Sequence, residues 1–249
     1  MNISNKKIFI FITVRTGSSR LPAKCLKKIN NKKIIEIIIQ RAKKIGYPII
    51  ILTTKNKSDD ILCNLAKKNK IMYYRGSSNN VLKRWYDCGI SFDADIMIMV
   101  DADDLLFDYE IYKNALKKIL TNKFDYIKAN ENSVTGLFTY IFKAEVIKNI
   151  YIENKNKKIE TIGPYLGKKF KFCLLKLKRN KKIRFTLDYE EDLIFFKKIF
   201  SRFSFNVKTN KVIAYLKKNK SLTKINSFRQ NDYLKNQRKK YEKLQRLEV

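Results

Sequence analysis

The stretch from Ile8 to Lys24 does most to limit what this chain can become. Ile8, Phe9, Ile10, Phe11, Ile12, Thr13 and Val14 form a short apolar run, and it passes directly into Arg15-Thr16-Gly17-Ser18-Ser19-Arg20-Leu21-Pro22-Ala23-Lys24. Beyond that loop Ile34, Ile35, Ile37, Ile38, Ile39, Ala42 and Ile45 recur at helical spacing among Glu36, Gln40, Arg41, Lys43 and Lys44. Pro48 ends the helical pattern and residues 49–52 supply another apolar run, so the N-terminal segment reads as a β-loop-α-β unit. In such a unit the loop after the first strand faces the ligand crevice, where anions meet backbone N–H groups. Gly17, Ser18 and Ser19 allow close backbone approach, while Arg15, Arg20 and Lys24 gather cations. The combination suits a nucleoside triphosphate. It is not a Walker loop, because no Gly precedes Lys24 and Cys25 stands where a Ser or Thr would hold magnesium. From these residues alone, an ordinary surface loop in a Lys-rich protein stays open as the alternative.

The rest of the chain alternates between short apolar runs and helical patterns. Strands are expected at 72–75, 95–100, 124–128 and 183–187, and helices at 58–69, 79–88, 108–120 and 193–200. This order predicts an α/β fold: a doubly wound, mostly parallel sheet with helices on both faces, Rossmann-like. Residues 131–172, interrupted by Gly136, Gly163, Pro164 and Gly167, are less regular and are expected to wall the acceptor side and supply subunit contacts. The main domain is assigned to 1–217 and a basic, helical C-terminal tail to 218–249, its helix at 228–247 expected to be an exposed appendage whose removal leaves ligand binding intact.

The net charge of +32, from 55 Lys and Arg against 23 Asp and Glu, is dispersed along the whole chain rather than gathered into a stripe. Dispersed charge points only weakly to nucleic acid, although such a field would speed the approach of a polyanionic nucleotide. The absence of His excludes Ser-His-Asp and Cys-His catalysis and removes the commonest partner of a zinc site. Cys25, Cys63, Cys88 and Cys173 contain no C-x-x-C pair and read as reduced thiols in a cytoplasmic protein. Lys6 and Lys7 before the first apolar run imitate a leader peptide, but no small-x-small cleavage site follows. No run approaches the ~18 apolar residues of a membrane span.

Two acidic clusters follow expected strands. Asp101-Ala102-Asp103-Asp104 closes the run at 95–100, and Asp188-Tyr189-Glu190-Glu191-Asp192 closes the run at 183–187. A doubly wound sheet can bring Asp103 and Asp188 together, and two carboxylates plus waters are the usual protein share of a magnesium-nucleotide site. Asp188 suits a helix cap equally well. The crowding of Asp101, Asp103 and Asp104 is harder to explain without a cation, since like charges repel.

The loop resembles the N-terminal signature R-x-x-S-x-R-L-P-x-K of the cytidylyltransferases that make CMP-sugars, among them CMP-3-deoxy-manno-octulosonate synthetases, acylneuraminate cytidylyltransferases and spore-coat polysaccharide homologues. Residues 100–108 are similar to that family's G-D-x-P-L-x-D segment, 186–193 to its D-x-P-E-D segment, and 74–84 to its R-G-x-x-x-D-V-L-x-R stretch. The resemblance implies the nucleotide-diphospho-sugar transferase fold and magnesium-dependent transfer of CMP from CTP to a sugar or sugar acid, for surface polysaccharide or glycoconjugate assembly. It implies catalytic roles for Arg15, Arg20 and Lys24. It adds Gly17, Ser18, Ser19, Arg75 and Asp101 as nucleotide-binding residues, Asp103 and Asp188 as Mg2+ ligands, and a homodimer. The chain departs from the pattern at Ala23 and Ala102, each in place of Gly, at Leu105 in place of Pro and at Asn80 in place of Asp. Phe138 and Tyr140 replace acidic residues, and Glu160-Thr161 replaces Glu-His, so the acceptor side has diverged. Two rival expectations stand beside this one: a glycosyltransferase using Asp101-x-Asp103 as a D-x-D metal site, and a non-catalytic basic protein that binds nucleic acid.

Overall fold

The computed structural model describes residues 5–246 apart from 132, 168, 179 and 181, with the side chains of the last helix described as far as Arg238. In chain order the elements are β1 (Ile8–Thr13), β2 (Lys28–Ile29), β3 (Lys32–Lys33), α1 (Ile34–Ala42), β4 (Ile49–Thr54), α2 (Asp60–Lys68), β5 (Met72–Gly76), α3 (Val81–Ser91) and β6 (Ile96–Asp101). There follow α4 (Tyr109–Ile119), β7 (Tyr126–Ala129), β8 (Tyr140–Lys143), α5 (Ala144–Glu153), β9 (Phe172–Leu175), α6 (Glu190–Phe200), α7 (Thr209–Lys218), α8 (Lys220–Lys224) and α9 (Arg229–Arg246).

The main sheet has the order β5-β4-β1-β6-β8-β7-β9. Neighbouring strands run parallel except at β8, which is antiparallel to both β6 and β7. The alternating side chains of β1 build a core on each face: Ile8, Ile10 and Ile12 pack on one side with α1, α4 and α6, and Phe11 on the other with α3 and α5. Each of these buried side chains contributes roughly 1.5–3 kcal/mol relative to exposure. The sheet is therefore doubly wound, as the alternation of runs predicts.

From β1 the chain moves to β4 on one side and later to β6 on the other, so the strand order reverses at β1. Ligands bind at such a switch point, outside the carboxyl ends of the strands. Register makes the placement concrete, since Thr13 lies opposite Asp101 and the loop after β1 emerges beside the acidic turn after β6.

Two expectations about elements are corrected. Residues 183–187 form no strand; an isolated bridge joins Thr135 and Arg184, and the Phe185 N–H donates to the Thr135 carbonyl at 2.8 Å. Ile183, Arg184, Phe185, Thr186 and Leu187 are all buried, so the segment looks like a central strand in composition while crossing the end of the sheet. The irregular middle, 131–172, in turn holds β8 and α5 and leads into β9. Asn30 and Asn31, at φ 46° and 62°, make the tight β2–β3 turn through their tolerance of the left-handed region. Among the described residues no helix is long and apolar enough to cross a membrane.

Candidate active site

The loop after β1 is fastened at both ends before any ligand is considered. The Ser18 and Ala23 N–H groups both donate to the Thr16 carbonyl, at 2.9 and 3.2 Å, and Leu21 is buried beneath the turn. Thr16 is itself anchored, its N–H and Oγ1 donating to Asp59 Oδ1 at 2.8 and 2.6 Å. The other Asp59 oxygen accepts from the hydroxyls of Thr53 and Thr54, at the end of β4, at 2.9 and 2.5 Å. Burial alone would raise the Asp59 pKa, but these hydrogen bonds, led by those from Thr16, outweigh it and the net shift is downward. Asp59 thus binds the loop to the neighbouring strand instead of simply opening helix α2. Ala23 sits at φ 48°, a conformation that favours Gly and costs another residue about 1 kcal/mol, which gives physical meaning to its departure from the family's Gly.

The loop's cations meet the acids directly. Lys24 Nζ donates to Asp103 Oδ2 at 2.5 Å, to Asp188 Oδ1 at 2.9 Å and to the Leu187 carbonyl at 2.9 Å. Arg20 Nη2 reaches the same Asp188 Oδ1 at 2.5 Å. Burial opposes the charge on Lys24, but Asp103 and Asp188 overcome it and its pKa is driven upward. Asp188 is almost wholly buried, and burial would hold its proton; Lys24 and Arg20 reverse that and keep it ionised well below the usual carboxylate range.

At the end of β6 the oxygens of Asp101, Asp103 and Asp104 lie within 4.8 Å of one another. Asp101 has only a long contact from Thr139 Oγ1, 3.5 Å. Burial first, then the charge of Asp103, push its pKa up to about 7, and the same two causes move Asp104 in the same direction. The Leu187 N–H donates to the Asp103 carbonyl at 2.8 Å, which pins the segment carrying Asp188 to the acidic turn. Asp188 is not the cap of α6. The N-cap position is Tyr189, and Asp192 in the first turn reaches back so that its Oδ2 accepts the N–H groups of Asp188 and Tyr189 at 2.9 and 3.0 Å, leaving the Asp188 side chain for other partners.

Arg15, Gly17, Ser18, Ser19, Arg20, Lys24, Asp101, Asp103 and Asp188 all line one cavity of about 1520 Å3. Arg75 does not line it. Its guanidinium is spent on the Thr54 and Asn56 carbonyls at 3.0 and 2.8 Å and on Asp60 at 2.5 Å, where it staples β5 to the end of β4. Arg84, buried at the start of α3, takes a place in the lining instead; it holds the Ser77 carbonyl at 2.6 Å, and its Nε has no partner among the described residues. Burial and the nearby Arg15 bring the Arg84 pKa down to about 10. Arg84 is the last residue of the R-G-x-x-x-D-V-L-x-R stretch, so a signal for it was present in the sequence.

The lining of the cavity also carries Trp85, Phe138, Tyr140 and Phe172, four aromatic rings, together with Leu174. A further part of the wall comes from α9, through Gln230, Tyr233, Leu234 and Gln237. This helix is anchored: Arg229 donates to both oxygens of Glu191 at 3.1 and 2.7 Å, and Asn236 donates to the Tyr189 hydroxyl at 3.2 Å. The expectation of an appendage is therefore replaced by a docked wall, held by polar bonds that a search for apolar faces does not detect. Burial, then Asp104, Asp103, Asp188 and Asp101, raise the Tyr233 pKa, so its phenol keeps its proton beside the acids.

The sequence pattern of a family described as "Cytidylyltransferase" matches residues 9–247. An uncharacterized protein of Methanocaldococcus jannaschii is 31% identical over 91% of this chain and 98% of its own length. The spore coat polysaccharide biosynthesis protein SpsF of Bacillus subtilis is 26% identical over 42% of this chain and 46% of its own. Among solved structures, a cytidylyltransferase from Leptospira borgpetersenii superposes with a TM-score of 0.79 at 26% identity, covering 88% of this chain and 97% of that one.

Proposed function

The chain belongs to the cytidylyltransferase family and is a nucleotidyltransferase, and on that premise we propose that it activates a sugar or sugar acid by transferring CMP from CTP, with a divalent cation as cofactor. The observation that carries this reading is the convergence of Lys24, Arg20, Asp103 and Asp188 at the mouth of the loop after β1. Loop cations and strand-end carboxylates are the parts that triphosphate chemistry requires.

The donor set fits a hard divalent cation, because the carboxylates of Asp101, Asp103 and Asp104 are clustered and Asp188 shares Lys24 with Asp103. Asp103 and Asp188 would hold it, with Mg2+ as the expected ion. When bound, the ion supplies charge neutralisation of the triphosphate and makes the α-phosphorus more electrophilic. Arg15, Arg20 and Lys24 balance the phosphate charge, and Ser18 with the backbone of Gly17 and Ser19 orients the phosphates at the loop. An acceptor hydroxyl oxygen bonds to the α-phosphorus while the bond to the bridging oxygen breaks, and pyrophosphate leaves. The cavity lining away from the loop includes the rings of Phe138, Tyr140 and Phe172, which suit the ring faces of a sugar. The name of the SpsF relative supports a role in surface polysaccharide assembly, with the reaction in the cytoplasm.

The test is to incubate the protein with CTP, magnesium and a panel of sugars and 2-keto-3-deoxy sugar acids and to follow pyrophosphate. Acceptor-dependent release with CTP is expected. Release of a nucleoside diphosphate from a nucleotide sugar, with no use of CTP, would establish the D-x-D glycosyltransferase instead.

A further inference from the structure

The Asp188 carboxylate is gripped from behind as well as from the cavity. Arg184 is fully buried, and its Nη2 donates to Asp188 Oδ2 at 2.8 Å while its Nε donates to Asp192 Oδ1 at 3.1 Å. Its remaining branch, Nη1, donates to Gln230 Oε1 at 3.2 Å, and Gln230 Nε2 continues to Thr135 Oγ1 at 2.9 Å. Gln230 lies in the first turn of α9. The guanidinium carbon sits 4.9 Å from the centre of the Tyr233 ring and 5.9 Å from that of Tyr189. Just before α9, the Asn226 amide donates to Asp192 Oδ1 at 2.9 Å and to the Arg184 carbonyl at 3.3 Å.

We infer that Arg184 is a positioning residue for Asp188 and that α9 locks it, so that the C-terminal helix belongs to the catalytic apparatus. The division of the Asp188 oxygens supports this. Oδ2 is committed to Arg184, and Oδ1 alone faces Arg20, Lys24 and the cavity. A carboxylate held at one oxygen by a planar guanidinium keeps its orientation, as the outer partners of metal ligands commonly ensure. A guanidinium withdrawn from water needs its donors satisfied, and one of its acceptors is supplied only when α9 is docked. A purely structural role for Arg184 would need the buried pair with Asp192 but would not need Asp188 turned toward the loop cations.

The inference rests on Asp188 as a ligand of the nucleotide-bound cation, and the test separates the two. CTP is titrated calorimetrically into the full chain, once with Mn2+ and once with a chelator, for the wild type, Gln230→Ala and Gln230→Glu. Gln230→Ala is expected to lose roughly fivefold or more of the metal-dependent gain in affinity, read as the ratio of its own titrations with Mn2+ and with chelator. Gln230→Glu keeps an acceptor for Arg184 and is expected to retain the gain. Circular dichroism and melting of each variant confirm that it is folded at the titration temperature. If Gln230→Ala keeps the full gain, or if both variants lose it equally, Arg184 and α9 do not position Asp188. A wild type whose CTP affinity ignores Mn2+ would overturn the functional reading itself and this inference with it.

Discussion

An ammonium group has three hydrogens, and Lys24 directs all of them inward, to Asp103, Asp188 and the Leu187 carbonyl. A cation or a phosphate entering the crevice must therefore separate Lys24 from the acids. Lys24→Met is expected to strengthen binding of Mn2+ alone by roughly tenfold, because it removes a competing positive charge, and to weaken CTP binding by a comparable factor. Calorimetry of the variant decides this, and an unchanged Mn2+ affinity would show that Lys24 does not compete for the acids. Asp101 supplies a second prediction. In the folded protein it holds its proton up to about pH 7, because of burial and then Asp103, whereas in an unfolded chain it would lose it near about 3.9. The folded state thus binds more protons across that window, and stability is full below it and falls as pH rises through it. Asp104 is shifted the same way, while Asp188 is depressed and acts only in stronger acid. With no His in the chain, few other side chains titrate between about pH 5.5 and 8. The melting temperature in chelator is expected to fall between about pH 5.5 and 7 and to become flatter there in Asp101→Asn; a flat wild-type profile would contradict the raised value.

Elements with a strong period were legible in the sequence, and elements defined by what covers them were not. The runs that became β1, β4 and β6 and the pattern of α1 announce themselves because burial on both faces of a parallel sheet demands continuous apolar residues. The same logic misassigned residues 183–187, since a segment buried on all sides by the end of a sheet has the composition of a strand. The loop, Asp101, Asp103 and Asp188 stood out in the sequence as gathered cations and carboxylates, and the structure brings them to one cavity. Asp59 and Arg184 did not: Asp59 is tied to the loop through Thr16, far away in sequence, and Arg184, only four positions before Asp188, lies in a segment whose composition reads as a strand, where residues four apart do not touch. The largest difference is α9: its polar sequence suggested a free tail, yet it docks through Arg229, Gln230 and Asn236. A chain ending at Asn226 is accordingly expected to melt at a lower temperature than the full chain and to bind CTP with Mn2+ less tightly. Equal melting and equal affinity would return the helix to the status of an appendage.

At the scale of the molecule, the high positive charge is a background on which one compensated site is built. Lys residues are scattered along the whole sequence, while Asp101, Asp103 and Asp104 are concentrated beside the point where the sheet reverses its strand order. The family match reaches residue 247 and so includes α9, in keeping with a cavity whose wall that helix completes. Asp103 and Asp188, 85 positions apart in sequence, meet at a single nitrogen. The shared-cation claim is tested most directly by a double-mutant cycle on Asp103→Asn and Asp188→Asn, reading the Mn2+-dependent gain in CTP affinity. Asp188→Asn removes a buried partner of Arg184, so its stability loss is set at roughly 3 kcal/mol or more and the titration is made well below its melting temperature. Each single variant is expected to lose nearly all of the metal-dependent gain, and the double variant little beyond either one, because ligands of one ion act as a unit. Losses that multiply as for independent sites, or a gain preserved in either single variant, would show that the two carboxylates do not hold a common cation.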